Sequence, residues 1–139
     1  MMGTETRVTA TGGCLCGGVR YEVRGPLSAA VACHCSQCRR ASGNFVTATN
    51  VQNTDLSLRA SDTLTWFRSS AGAERGFCSR CGGNLFWRHI APGTDHTSIG
   101  AGSIDPPTHI RLARHIFVGS KSDYYDITDG LPQFAEWPK

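Results

Sequence analysis

One stretch of six residues contains three cysteines and decides how the fold is interpreted: Cys33-His34-Cys35-Ser36-Gln37-Cys38. Side chains alternate along a strand, so Cys33 and Cys35 project to one side, and Cys38 returns from the first turn of a helix. Three thiolates in this spacing predict one bound metal ion. The neighbouring sequence offers no obvious fourth ligand, so we expect an open position for water or substrate. His34 points to the opposite face, and we interpret it as a core residue.

The other four cysteines form two pairs, each followed by two glycines: Cys14-Leu15-Cys16-Gly17-Gly18 and Cys78-Ser79-Arg80-Cys81-Gly82-Gly83. Each short spacing lets both sulfurs of a pair meet one ion. The glycines tolerate a tight turn, which brings amide N–H groups toward the sulfurs. Four thiolates close a tetrahedral site of the structural kind, whereas three leave it open. The sequence therefore predicts two zinc ions per chain, in sites of different character.

Composition narrows the classes of protein to consider. An odd number of cysteines, seven, argues against a closed set of disulfides. The chain shows no secretory signal, so we expect a cytoplasmic location, where thiols stay reduced. No apolar run approaches the roughly 18 residues of a membrane span. Seven thiolates and two divalent ions would cancel the formal charge of +3, so we do not expect nucleic-acid binding.

The remaining sequence predicts a mainly β domain. Sixteen glycines and six prolines separate short runs of β-branched and aromatic residues. We predict one domain over residues 1–139, with a core at about 12–131. One short helix is predicted from Ser36 to Ser42, capped by Ser36 and ended by Gly43. The predicted strands are Val19 to Val23, Phe45 to Val51, Leu64 to Phe67, Leu85 to Trp87 and Ile116 to Val118.

Three stretches together resemble the glutathione-dependent formaldehyde-activating family, which includes the zinc domain of centromere protein V. They are Gly13-x-Cys-x-Cys-Gly-x-Val-x-Tyr21, Cys33-His-Cys-x-x-Cys-Arg-Arg-Ala-Ser-Gly43 and Arg75-x-Phe-Cys-x-x-Cys-Gly82. The resemblance implies coiled antiparallel sheets stapled by zinc. It also implies a structural ion on Cys14, Cys16, Cys78 and Cys81, and a catalytic ion on Cys33, Cys35 and Cys38. The family's founding activity adds glutathione to formaldehyde, giving S-(hydroxymethyl)glutathione.

The three-cysteine stretch favours thiol chemistry. Three thiolates leave zinc a weak Lewis acid, and a soft site suits a substrate thiol as its fourth ligand. We therefore predict a zinc-dependent carbon–sulfur lyase or synthase that adds a glutathione-like thiol to a small aldehyde such as formaldehyde. Its partners would be these small molecules, with no membrane involved. Two alternatives stay open: disulfide exchange at the three cysteines, and a zinc-stapled interaction module without catalysis.

Several other side chains have competing interpretations. Arg39 and Arg40 are either receivers for the carboxylates of glutathione or a solvated helix face. His115 and Lys121 either border the pocket or are an interior histidine and a surface lysine. Tyr124 stands where relatives carry tryptophan and is a candidate for the pocket wall. Four aromatic residues are predicted to lie in the core: Trp66, Phe86, Trp87 and Phe117.

Overall fold

A computed structural model describes residues 7–138. Strands hold 42% of the residues and helices 12%, which confirms the mainly β prediction. The strands are β1 (Ala10–Gly13), β2 (Arg20–Val23), β3 (Ala30–Cys33), β4 (Val46–Gln52), β5 (Leu56–Ala60), β6 (Leu64–Ser70), β7 (Ala73–Cys78), β8 (Asn84–His89), β9 (His96–Gly100) and β10 (Leu112–Ile116). The α-helix is α1 (Ser36–Ser42), and 3₁₀ turns occupy Asn53–Asp55, Ala101–Ser103 and Val118–Ser120.

The strands form two open sheets. The smaller sheet has the order β1-β2-β5, and the larger has the order β10-β3-β4-β9-β8-β7-β6. All pairings are antiparallel except that of β10 with β3, which differs from the purely antiparallel expectation. Parallel neighbours need a long connection, and here the chain passes through β4 to β9 before β10 returns beside β3.

The end of β10 also differs from the prediction. The strand stops at Ile116, whereas we expected strand from Ile116 to Val118. Phe117 has a φ of 55°, in the left-handed region, and a 3₁₀ turn follows it. A β strand cannot continue through that conformation, so the predicted strand is wrong beyond its first residue.

Helix α1 has the predicted bounds but a different N-cap residue. Cys35, and not Ser36, is the N-cap, because the Cys35 sulfur accepts a hydrogen bond from the Cys38 amide at 3.3 Å. Gly43 has a φ of 92° and ends the helix, as predicted. The sulfur of a candidate metal ligand thus also fixes the start of the helix.

Alternation along the strands gives the larger sheet two different faces. One face packs against the smaller sheet and forms the core, where Val51 and Ile99 lie with Tyr21 and Val23. Phe86 lies in this core as predicted. The residues between them on the strands face the other way and line a cavity. Within residues 7–138, no helix is both long enough and apolar enough to cross a bilayer.

Candidate metal centres and pocket

Four cysteine sulfurs converge where the two sheets meet. The Sγ atoms of Cys14, Cys16, Cys78 and Cys81 all lie within 4.8 Å of one another. Cys16 Sγ is 3.7 Å from Cys14 Sγ and 3.5 Å from Cys78 Sγ. Four sulfurs held at Zn–S bonds of about 2.3 Å in a tetrahedron are about 3.8 Å apart, so this spacing fits a zinc-sized ion. We refer to these residues as the closed cluster.

The surroundings of the closed cluster favour the thiolate form at two of its cysteines, Cys78 and Cys16. Thr63 Oγ1 lies 3.1 Å from Cys78 Sγ, and this hydroxyl lowers the pKa of Cys78 to about 5. The pKa of Cys16 is also lowered, first by a hydrogen bond from the Gly18 amide and then by Arg80. Arg80 Nε donates to Cys16 Sγ at 3.3 Å. Thiolates so stabilised are the form that binds metal.

The closed cluster joins distant parts of the chain. Cys14 and Cys16 lie in the turn between β1 and β2 of the smaller sheet, whereas Cys78 ends β7 and Cys81 lies in the turn before β8 of the larger sheet. Gly82 has a φ of 77°, which is the positive value that the glycine was predicted to tolerate. A metal ion here would therefore fasten one sheet to the other.

Three sulfurs converge at a second place, which we call the open cluster. Cys33 ends β3, Cys35 caps α1, and Cys38 lies in its first turn, with the three Sγ atoms within 4.8 Å of one another. Hydrogen bonds from Cys33 and Cys38 lower the pKa of Cys35 to about 2. Hydrogen bonding to Cys35 and Cys38, together with burial, raises the pKa of Cys33. One thiolate forms readily, and a cation is needed to hold the others ionised.

Protein side chains do not complete this second cluster. Among residues 7–138, no histidine, aspartate, glutamate or further cysteine joins the three sulfurs. The nearest charged contact is Arg75, whose Nη2 donates to Cys38 Sγ at 3.6 Å. A guanidinium donates hydrogen bonds and has no lone pair for a metal. The donor set is therefore three soft sulfurs with one side left for another ligand.

The open cluster faces a cavity of about 630 Å³, a size typical of small-molecule sites. Its floor is the face of the larger sheet opposite the core. Val31 and Cys33 of β3 point into it, as do Ala48 and Asn50 of β4 and Ser98 of β9. Every second residue of each strand reaches the cavity, which is the pattern expected of one face of a pleated sheet.

Two of the predicted core aromatics belong to this cavity. Trp87 alternates with the buried Phe86 and so points into the pocket, and Phe117 lines it after the left-handed turn that ends β10. Both core predictions are wrong for these residues. Trp66 packs against the core as a partly buried residue. Trp137, which the sequence did not single out, also lines the pocket, edge-to-face with Phe117 at 5.1 Å.

Arg39 and Arg40, for which two interpretations stood open, do not reach the pocket. Arg39 Nε donates to the Ser120 carbonyl at 3.2 Å, and neither Arg39 nor Arg40 lines the cavity. Arg75 and Arg114 line it instead. Arg75 stands in one of the quoted family stretches, but Arg114 carries no local sequence signal. Its position depends on the parallel pairing of β10 with β3.

His34 lies behind the open cluster, as predicted. It is fully buried, and its Nε2 is 2.8 Å from Nδ1 of His115. The Nε2 atom of His115 is in turn 2.7 Å from Asp129 Oδ2. Burial lowers the pKa of His34, which favours the neutral ring. This chain of contacts holds the segment after β10 against the back of the cysteine stretch, so His115 is the interior histidine.

Lys121 and Tyr124 also lie away from the pocket. Lys121 Nζ donates to the Ser122 carbonyl at 2.8 Å and contributes no lining surface. The Tyr124 hydroxyl donates to the Gly43 carbonyl, and 67% of the side chain is exposed. The proposed place of Tyr124 in the pocket wall is therefore wrong. The pocket residues that the sequence missed include Arg114, His89, His96 and Trp137.

These observations define the class of protein as mainly β, with two cysteine clusters able to hold metal ions. One cluster is closed, and the other faces a pocket. A sequence model described as glutathione-dependent formaldehyde-activating enzyme matches residues 9–120, and the chain belongs to that family. No curated protein matches the chain significantly. The fold is similar to that of a Rhodobacter sphaeroides protein whose crystal structure was a Northeast Structural Genomics target. That chain is 23% identical, with a TM-score of 0.55, and the match covers 74% of this chain and 99% of that one.

Proposed function

We propose that the chain is a zinc-dependent carbon–sulfur lyase or synthase that adds a glutathione-like thiol to a small aldehyde such as formaldehyde. The observation that carries this proposal is the open cluster of Cys33, Cys35 and Cys38, which faces a pocket of small-molecule size. Membership of the formaldehyde-activating family supports the substrate pair. Free thiols in both clusters suit the reducing cytoplasm, where we expect the protein to act.

The two clusters would hold zinc for different purposes. Cys14, Cys16, Cys78 and Cys81 are proposed as ligands of a structural ion, because they complete a four-sulfur set. Cys33, Cys35 and Cys38 are proposed as ligands of a catalytic ion. When bound there, zinc supplies positive charge that keeps a substrate thiol ionised at neutral pH. Sulfur ligands and the spacing of the Sγ atoms fit zinc at both places.

The reaction needs one bond to form and one proton to move. A sulfur lone pair of the substrate thiolate forms a bond to the carbonyl carbon, and the carbonyl π electrons move to its oxygen. The oxygen then takes a proton, and the product is a hydroxymethyl thioether. The reverse sequence releases thiol and aldehyde. Water and the imidazoles of His89 and His96, which line the same pocket, are the candidate proton carriers for this oxygen.

Other pocket residues orient the reactants. Arg75 places its guanidinium beside Cys38 and offsets the negative charge gathered by the sulfurs. Asn50 and Ser98, joined by a 2.6 Å hydrogen bond, offer polar atoms on the floor. Ile116 and Trp87 give the walls an apolar character that limits access of water to the adduct. The protein thus supplies charge, donors and exclusion of water around the thiolate.

The direct test measures exchange between free glutathione and its formaldehyde adduct by NMR, with zinc-loaded protein. We expect faster exchange than in buffer. The matched control is Cys35→Ala, which should abolish the acceleration while leaving the closed cluster intact. No acceleration by the unmodified protein, together with no glutathione binding, removes the substrate assignment.

A further inference from the structure

The charge of the pocket is one-sided. Arg75 and Arg114 line it, and among the described residues no aspartate or glutamate does so. A cavity lined by cationic groups raises the local concentration of anions. The pocket is therefore built for a substrate with negative charge besides that of its sulfur.

The two arginines occupy different positions. Arg75 is half-buried and already donates to Cys38 Sγ, so its charge is committed to the cysteine end of the pocket. Arg114 lies on β10, where Ile116 pairs with Cys33 and Arg114 pairs with Val31. Two residues along a strand span about 6.6 Å. Arg114 therefore lies on the same face of the sheet as Ile116, one alternate residue along β10 from the position that pairs with Cys33.

Arg114 has no internal partner. Across residues 7–138 no hydrogen bond or ion pair engages its side chain, whereas Arg20, Arg59 and Arg88 each meet a carboxylate. Its exposed guanidinium offers N–H donors in a planar fork, the geometry that matches a carboxylate with two parallel hydrogen bonds. Because no carboxylate lines the described pocket, the guanidinium of Arg114 is available to a ligand.

The separation suits a peptide-sized thiol. An extended tripeptide spans about 10 Å, so a thiol group at the open cluster leaves a terminal carboxylate within reach of the arginine side chain. We propose that Arg114 is a specificity-determining residue that binds a carboxylate of the substrate thiol, remote from its sulfur. This inference rests on the proposed function.

The test compares two ligands on zinc-loaded protein by isothermal titration calorimetry. The ligands are glutathione and its diethyl ester, which keeps the thiol but masks both carboxylates. We expect Arg114→Ala to weaken glutathione binding about tenfold or more, because a charge-assisted pair is lost, and to leave binding of the ester unchanged. Arg114→Lys should recover part of the affinity, since lysine keeps the charge without the fork.

Arg111→Ala is the matched control, because Arg111 is also exposed, lies three residues earlier and does not line the pocket. It should bind both ligands like the unmodified protein. No hydrogen bond or ion pair engages the exposed Arg114 side chain within residues 7–138, so thermal melts of the Arg114 variants should match that of the unmodified protein. Equal loss for the acid and the ester, or no loss in Arg114→Ala, overturns the proposal. So does an equal effect of Arg111→Ala.

A third ligand separates this inference from the proposed function. 2-Mercaptoethanol carries the thiol without any carboxylate. If the unmodified zinc-loaded protein binds no thiol, the proposed function fails and the role of Arg114 fails with it. If it binds 2-mercaptoethanol and accelerates adduct exchange, but Arg114→Ala does not weaken glutathione binding, only the role of Arg114 is overturned.

Discussion

The closed and open clusters are built from the same ligand type but are connected differently. The closed cluster draws sulfurs from two sheets, and 62 residues separate Cys16 from Cys78. The open cluster takes all three sulfurs from residues 33–38, at the end of one strand and the start of one helix. A metal ion that closes a long loop removes more conformational entropy from the unfolded chain than a metal ion bound within six residues.

The clusters also face different surroundings. The closed cluster lies between turns, and its fourth sulfur leaves no place for another ligand. The open cluster lies at the rim of a cavity, with Arg75 beside Cys38. The closed cluster is therefore suited to stabilising the fold, and the open cluster is suited to binding an exchangeable ligand.

The largest effect is expected from Cys81→Ala. A structural zinc contributes about 10–16 kcal/mol in small zinc-binding peptides, which is comparable with the total stability of a domain, about 5–15 kcal/mol. The variant should therefore unfold or aggregate. Circular dichroism melts and size-exclusion chromatography measure this outcome. Ser79→Ala, an exposed change in the same turn, is the control and should melt like the unmodified protein.

The matching change in the open cluster, Cys38→Ala, should be far milder. We expect a soluble protein that has lost one metal ion and keeps the other, because no long-range link is removed. Elemental analysis gives the metal content, and a melt gives the stability. Collapse of Cys38→Ala with survival of Cys81→Ala would reverse the assignment of the two clusters.

An intermediate effect is expected from the arginines beside the clusters. Arg75→Met removes a half-buried donor to Cys38 Sγ, and we expect the open cluster to release its metal to a chelator about tenfold more readily. Arg80→Met removes an exposed donor to Cys16 Sγ, and we expect a smaller loss of metal retention at the closed cluster, because solvent weakens an exposed interaction. Chelator competition distinguishes the two. Equal sensitivity at both clusters would contradict the difference in their surroundings.

The smallest effect concerns an ion pair near the junction of the sheets. Arg20 and Thr11 bind the Asp105 carboxylate and lower its pKa. Because the folded pKa is depressed, this stabilisation is present above the ordinary aspartate pKa and is lost as pH falls through the folded value. Both side chains of the pair are about 40% exposed, so Asp105→Asn should cost less than about 1 kcal/mol at pH 7.

Urea titrations at pH 7 and pH 3 measure this contribution. The difference between Asp105→Asn and the unmodified protein should be largest at pH 7 and smaller at pH 3, which is below the ordinary aspartate pKa. A difference that grows toward acid would contradict the direction of the pKa shift. A loss of several kcal/mol at pH 7 would mean that the junction depends on this pair as well as on the closed cluster.

Local geometry explains what the sequence predicted well. The grouping of the cysteines, the extent of α1 and the position of Gly43 depend on residues within a few positions of one another, and the mainly β class follows from composition. The N-cap was missed because a cysteine sulfur took the role normally filled by serine. The family could likewise be identified from the cysteine spacing.

The pocket wall depended on the tertiary structure. Arg75, Arg114 and Trp87 come from three different strands, and only the order of the larger sheet brings their side chains to one face. Strand alternation says that Trp87 and Phe86 point apart, but not which of them meets the core. Short-range spacing thus determined where metal ions can bind, whereas long-range strand pairing decided which charges surround them, because pairing partners are not encoded in neighbouring residues.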